Sequence, residues 1–171
     1  MTDVTQCPLQ HLRLTNPTHL LAVGFGSGLI HPAPGTWGSL AGLFIGIFFM
    51  QIVPLKVFMI FTAVCFLIGC YLCQKTANDM GVHDHGSIVW DEFVGIWIVQ
   101  IGMVGFLLEH LILGNVVAFG LFRLFDIWKP FPIRYFDRKL ENGFGIMIDD
   151  VLASLYAVLV YFIFSIGVSL C

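Results

Sequence analysis

Long apolar runs dominate this chain and restrict what it can fold into more than any other feature. Trp37–Val53 and Leu55–Cys73 are two such runs, parted by Pro54 with Lys56 beside it, and Val151–Leu170 is a third that contains no charge. A helix that crosses the hydrocarbon core of a bilayer needs about 20 apolar residues, within a range of about 17–25. Phe93–Phe125 is too long for one crossing and is interrupted at Glu109-His110. It reads as a helical hairpin, Phe93–Leu108 and Leu111–Phe125; the alternative is one span plus an interfacial or partly buried helix. The expected fold is all-α, a polytopic membrane helical bundle of four to five apolar helices. At this length one domain over residues 1–171 is the sensible count.

Composition supports membrane residence: 58% of the residues are hydrophobic and only 11% charged, where soluble domains run near a quarter charged. A net charge of -3 without a basic tract leaves nucleic acid outside the expected partners. Met1–Gln10 is polar, so no signal peptide is expected. Cys70-Tyr-Leu-Cys73 has redox spacing but lies inside an apolar run, where cysteine acts as a small packing residue.

Three polar segments separate the runs: Met1–Thr36, Gln74–Glu92 and Asp126–Asp150. If each hairpin crosses and returns, all three share one side. Arg13, Lys75, Lys129, Arg134, Arg138 and Lys139 lie in them, with Arg123 at a helix end beside one, and Lys56 alone is opposite. By the positive-inside rule this seven-to-one division makes the shared side cytoplasmic. Nearly every acidic residue falls on the same face, Glu109 excepted. Five crossings would place Cys171 in the periplasm and four in the cytoplasm.

That face carries the candidate chemistry. Asp91-Glu92 runs directly into an apolar helix, and Asp149-Asp150 comes immediately before the last span. Single acids at helix starts are favoured by the dipole, by about 0.3–1 kcal/mol each, but two adjacent pairs plus Asp79, Asp84 and Asp126 exceed that need. Clustered carboxylates repel one another unless a cation is bound between them, and oxygen-only ligands suit Mg²⁺. Arg123 and Asp126 are three apart and able to pair on one helix face. Pro130 and Pro132 end that helix just after Lys129. Arg and Lys hold phosphate oxygens, and a charge such as Arg123 within an apolar run is costly and usually functional. Lys129 also has the plainer reading of a member of an interfacial belt.

The glycine-rich stretch Gly24–Gly38 reads as a loop whose backbone N–H groups could face phosphate, with Thr36 or Ser39 capping the first span. His83 and His85 flank Asp84 as candidate ligands, acid–base groups or solvated loop residues. Asn142-Gly-Phe-Gly145 reads as a turn.

The Gly-Ser-Gly/Pro-Gly-Thr loop, Asp-Glu-Phe-Val-Gly, Arg-x-x-Asp-x-x-Lys-Pro-x-Pro and Ile-Met-x-Asp-Asp occur in order within Gly24–Leu40, Asp84–Trp97, Phe122–Pro132 and Gly143–Ala153. In this combination the chain resembles the phosphatidylglycerophosphatase A family, with no departure from its motifs. The resemblance implies a mostly helical enzyme of the bacterial inner membrane that dephosphorylates phosphatidylglycerophosphate to phosphatidylglycerol with Mg²⁺. On that basis the metal is assigned to carboxylates drawn from Asp84, Asp91, Glu92, Asp149 and Asp150, with Asp84, Asp91, Arg123, Asp126 and Lys129 as the catalytic set. Arg123 and Lys129 would hold phosphate oxygens, with Gly35, Thr36 and Ser39 as a further cradle. Asp126 either orients Arg123 or serves as nucleophile. The expected partner is a phospholipid in the bilayer, reached from an active site that faces the cytoplasm. The rival, an ion carrier or channel subunit with an acidic mouth, would require charges at mid-membrane depth. Asp137 and Glu141 lie outside the motifs and are expected to be dispensable.

Overall fold

The computed structural model describes residues 8–169, and all regular structure among them is helical. The ends of the first polar segment and of the last apolar run, with Cys7 and Cys171, lie outside the described residues. Eight α-helices follow in order: α1 (Pro17–Ala22), α2 (Pro34–Ile52), α3 (Leu55–Met80), α4 (Trp90–Gly102), α5 (Val104–Glu109), α6 (Leu111–Trp128), α7 (Ile133–Lys139) and α8 (Gly143–Ser169).

Local chemistry sets most of their ends. Pro34 opens α2, where the missing N–H costs no helical bond. Pro54 separates α2 from α3, and α3 stops at Gly81, which adopts the left-handed conformation that favours glycine. Asn142 caps α8: its side-chain oxygen accepts from the Gly145 N–H at 2.8 Å. The stretch expected to be a turn is therefore the first turn of a helix, and Asp149-Asp150 lie inside α8 rather than ahead of it. Thr36 and Ser39 also fall inside a helix. Ala33 precedes α2 without a side-chain cap, and the Ser39 hydroxyl donates back to the Gly35 carbonyl at 2.8 Å. The glycine stretch itself is a pair of tight turns over Gly24–Leu29.

Among the described residues, four helices are long and apolar enough to cross a membrane: Pro34–Ile52, Leu55–Met80, Leu111–Trp128 and Gly143–Gly167. Their outer faces expose Phe44, Phe48, Ile60, Leu67, Ile112 and Ile163, as lipid-facing surfaces do. The Phe93–Leu108 run does not form one straight helix. It breaks at Met103 into α4 and α5, and the 13 residues of α4 rise only about 20 Å.

Helix α4 is instead the centre of the bundle. It packs against α2, α3, α6 and α8, and Phe93, Val94, Ile96, Trp97, Val99 and Gln100 are fully buried or nearly so. Lipid tails are as apolar as leucine, so helices in a bilayer associate through close packing and hydrogen bonds rather than hydrophobic burial. Both are present. Gly38, Gly42 and Gly46 form a stripe at four-residue spacing on α2, and a Cβ on each would come within 2.5, 3.0 and 1.9 Å of Val89, Ile96 and Gln100. The Trp97 indole donates to the Gly42 carbonyl at 2.8 Å. The Gln100 amide donates to Leu43 O at 3.1 Å and Asn115 Oδ1 at 2.9 Å. Cys73, fully buried on α3 with its thiol 3.8 Å from Met147 Sδ, is a packing residue.

Candidate active site

The ends of α2, α4, α6 and α8 meet at one end of the bundle. Asp91 and Glu92 occupy the first turn of α4, Arg123 and Asp126 the last turns of α6, and Asp149 and Asp150 the second turn of α8. Helical spacing decides what each pair faces. Adjacent residues point about 100° apart, so the two members of an acid pair do different work.

Asp91, Glu92 and Asp150 form the centre. One carboxylate oxygen from each lies within 4.8 Å of the others. Asp91 Oδ1, Glu92 Oε2 and Asp150 Oδ2 are buried and accept no hydrogen bond. A buried carboxylate without a donor is expensive, and three facing one another add mutual repulsion. A hard divalent cation removes both costs, because it takes oxygen ligands and tolerates a site completed by water and phosphate. The donor set therefore fits the metal.

The cations lie beside this centre. Arg123 forms an ion pair with Asp126, as their spacing predicted. It also reaches Glu92 Oε1 at 3.8 Å and donates to Ser39 Oγ at 3.3 Å, while its Nε has no acceptor. Gly35 makes this approach possible: a Cβ there would sit 2.3 Å from Glu92 Oε1 and 3.3 Å from both terminal nitrogens of Arg123. Lys129 closes α6 in the left-handed conformation, φ 44°, which is strained for a residue with a side chain. Its ammonium binds Asp149 and donates to Asp137 Oδ1 at 2.7 Å. Burial opposes the lysine's charge, but the field of Asp149 and the bonds from both carboxylates outweigh it and raise its pKa above the ordinary range.

Of the five carboxylates assigned to the metal from the sequence, the structure brings three together. Asp149 lies alongside but commits an oxygen to Lys129. Asp84 is exposed on the loop between α3 and α4, within electrostatic range of Lys129 and Asp91 and outside the three-carboxylate group. His85 uses its Nδ1 to accept the Ser87 N–H at 3.2 Å, a local loop contact. Ser39 and Gly35 reach the site as supports for Arg123 and Glu92, and Thr36 is half-buried on the same turn.

One participant and one contact escaped sequence reasoning. Asp137, expected to be dispensable, holds Lys129 from α7. The turn containing Pro130 and Pro132 removes the helical register that would have signalled a partner eight residues on. Ser39 holding Arg123 spans 84 positions, beyond any local pattern.

Residues 20–165 match the family model described as phosphatidylglycerophosphatase A. A phosphatidylglycerophosphatase A of Haemophilus influenzae is 66% identical over 155 residues, covering 91% of this chain and 93% of that protein. One of Escherichia coli K12 is 48% identical over 153 residues, covering 89% and 86%. No solved structure matches the chain.

Proposed function

The chain belongs to the phosphatidylglycerophosphatase A family, and from that premise we propose that it hydrolyses the terminal phosphomonoester of phosphatidylglycerophosphate, giving phosphatidylglycerol and phosphate. It does so with Mg²⁺, at the cytoplasmic face of a bacterial inner membrane. The observation that carries the chemistry is the trio of donorless buried oxygens on Asp91, Glu92 and Asp150, beside the partly unsatisfied guanidinium of Arg123.

Asp91, Glu92 and Asp150 would hold the Mg²⁺, which when bound would supply positive charge against the phosphoryl oxygens and lower the pKa of a bound water. Everything else is positioning and charge neutralisation, the main needs of phosphoryl transfer. Arg123 takes non-bridging oxygens of the monoester. Asp126 and Ser39 both contact its guanidinium, which supports an orienting role for Asp126. Lys129, kept protonated by Asp149 and Asp137, adds a second cation. In the overall reaction the phosphorus–oxygen bond to the glycerol breaks, water supplies the new oxygen on phosphorus, and the glycerol oxygen leaves protonated. The acyl chains remain in the bilayer throughout. Acids at the end of the bundle, with apolar spans between, also suit interfacial chemistry better than an ion path.

Phosphate release from short-chain phosphatidylglycerophosphate by the detergent-purified protein tests the reading. A chelator is expected to abolish release and added Mg²⁺ to restore it. Turnover that survives complete metal removal would refute the metal assignment, and no release under any condition would refute the activity.

A further inference from the structure

Two cavities adjoin beside the active site and share Trp128 and Arg134. The smaller, about 550 Å³, is lined by Gly120, Arg123, Leu124, Ile127, Trp128 and Arg134. It brings the site's own Arg123 to a surface where Leu124, Ile127 and Trp128 are exposed. The larger, about 850 Å³, lies between Lys129 and the cationic face of α7, with Arg134, Arg138 and Lys139 around it and no carboxylate in its lining. Arg123 and Lys129 are both tied to acids. Among the described residues no acid pairs with Arg134, although it is the cation common to both cavities.

We infer that Arg134 holds the phosphodiester of the lipid whose phosphomonoester lies against Arg123, with the acyl chains leaving along Gly120, Leu124 and Ile127. The inference rests on the lipid phosphomonoesterase reading and deepens it. Such a substrate carries two phosphates joined by a glycerol unit, one buried for reaction and one at the headgroup level. The smaller cavity offers the same pattern: Arg123 with 15% of its side chain accessible, Arg134 exposed, and an apolar exit beside them. Arg134 is thus a positioning residue that distinguishes lipids bearing a diester from simple phosphomonoesters. The apolar wall is equally specific. A Cβ at Gly120 would meet nothing within 4 Å, so a side chain added there starts in open space on the wall of this cavity.

The test compares wild type, Arg134→Ala, Arg134→Lys and Gly120→Trp in detergent. It measures kcat and KM for short-chain phosphatidylglycerophosphate, and inhibition by short-chain phosphatidylglycerol and by inorganic phosphate. Phosphatidylglycerol retains the diester and lacks the monoester; inorganic phosphate reports on the reactive subsite alone. Arg134→Ala should raise KM and the phosphatidylglycerol inhibition constant together, about tenfold or more as expected for losing a charged hydrogen bond. Its kcat and phosphate inhibition should stay within about twofold, and Arg134→Lys should recover part of the loss. Gly120→Trp should raise the same two constants with an unchanged melting temperature. Unchanged constants in Arg134→Ala, a fall in kcat alone, parallel weakening of phosphate inhibition, or a wild type insensitive to phosphatidylglycerol would each overturn the subsite while leaving the activity standing. A wild type that releases no phosphate would remove both.

Discussion

At the scale of single residues, the site is a balance of charge that the fold leaves open at one point. The two cations within it are matched by carboxylates, Arg123 by Asp126 and Lys129 by Asp149 and Asp137, whereas Asp91, Glu92 and Asp150 face one another with bare oxygens. Asp150→Asn should therefore lower turnover by 10²-fold or more at saturating Mg²⁺, since each ~1.36 kcal/mol of lost transition-state stabilisation is tenfold. It should also abolish the rise in melting temperature that Mg²⁺ gives the wild type, because only a bound ligand stabilises the folded state in this way. A variant that keeps both would discredit the metal centre. Gly35→Ala tests the same centre from the opposite wall. Its methyl group must displace Glu92, so a loss of at least about tenfold in kcat is expected with little change in melting temperature, and normal kinetics would show that Glu92 need not sit there. Glu141→Gln serves as the neutral comparison. Asp137→Asn does not, because it unties Lys129, and it should reduce activity.

At the scale of elements, the sequence was most legible where one local rule decides the outcome. Apolar runs, prolines and the three-residue spacing of Arg123 and Asp126 translated directly into helices, ends and an ion pair. It was least legible where distance along the chain hides proximity. Nothing local says that Ser39 will meet Arg123, or that the run beginning at Phe93 will break at Met103 and become the buried axis of the bundle. A signal for that axis did exist in Gly38, Gly42 and Gly46, whose four-residue spacing marks a face made for close approach. Gly42→Ile should push α2 from α4, because even an added Cβ would stand 3.0 Å from the Phe93 backbone. Overpacking of this kind costs about 1–3 kcal/mol, seen as a lower melting temperature. Activity should fall with it, because α2 also carries Gly35 and Ser39 to the site. A variant that retains full stability and activity would show that the stripe does not set the helix spacing.

At the scale of the whole molecule, the four long helices and the central α4 gather the ionisable groups at one end. By the positive-inside rule, the seven-to-one distribution of basic residues predicts a cytoplasmic location for that end. Single cysteines introduced into the loops at residues 81–86 and 140–142 should resist an impermeant thiol reagent in intact cells and react once the inner membrane is opened. Labelling from outside would invert the orientation.

Because the site draws its parts from α2, α4, α6 and α8, it follows the order of synthesis. A ribosome delivers the chain from the N-terminus onward, so Gly35, the Asp91-Glu92 pair and Arg123 emerge long before Asp150. Until α8 joins the bundle, the nascent protein holds two of the three clustered carboxylates and has no complete centre. If these three carboxylates form the catalytic centre, a chain becomes active only once its last helix has inserted.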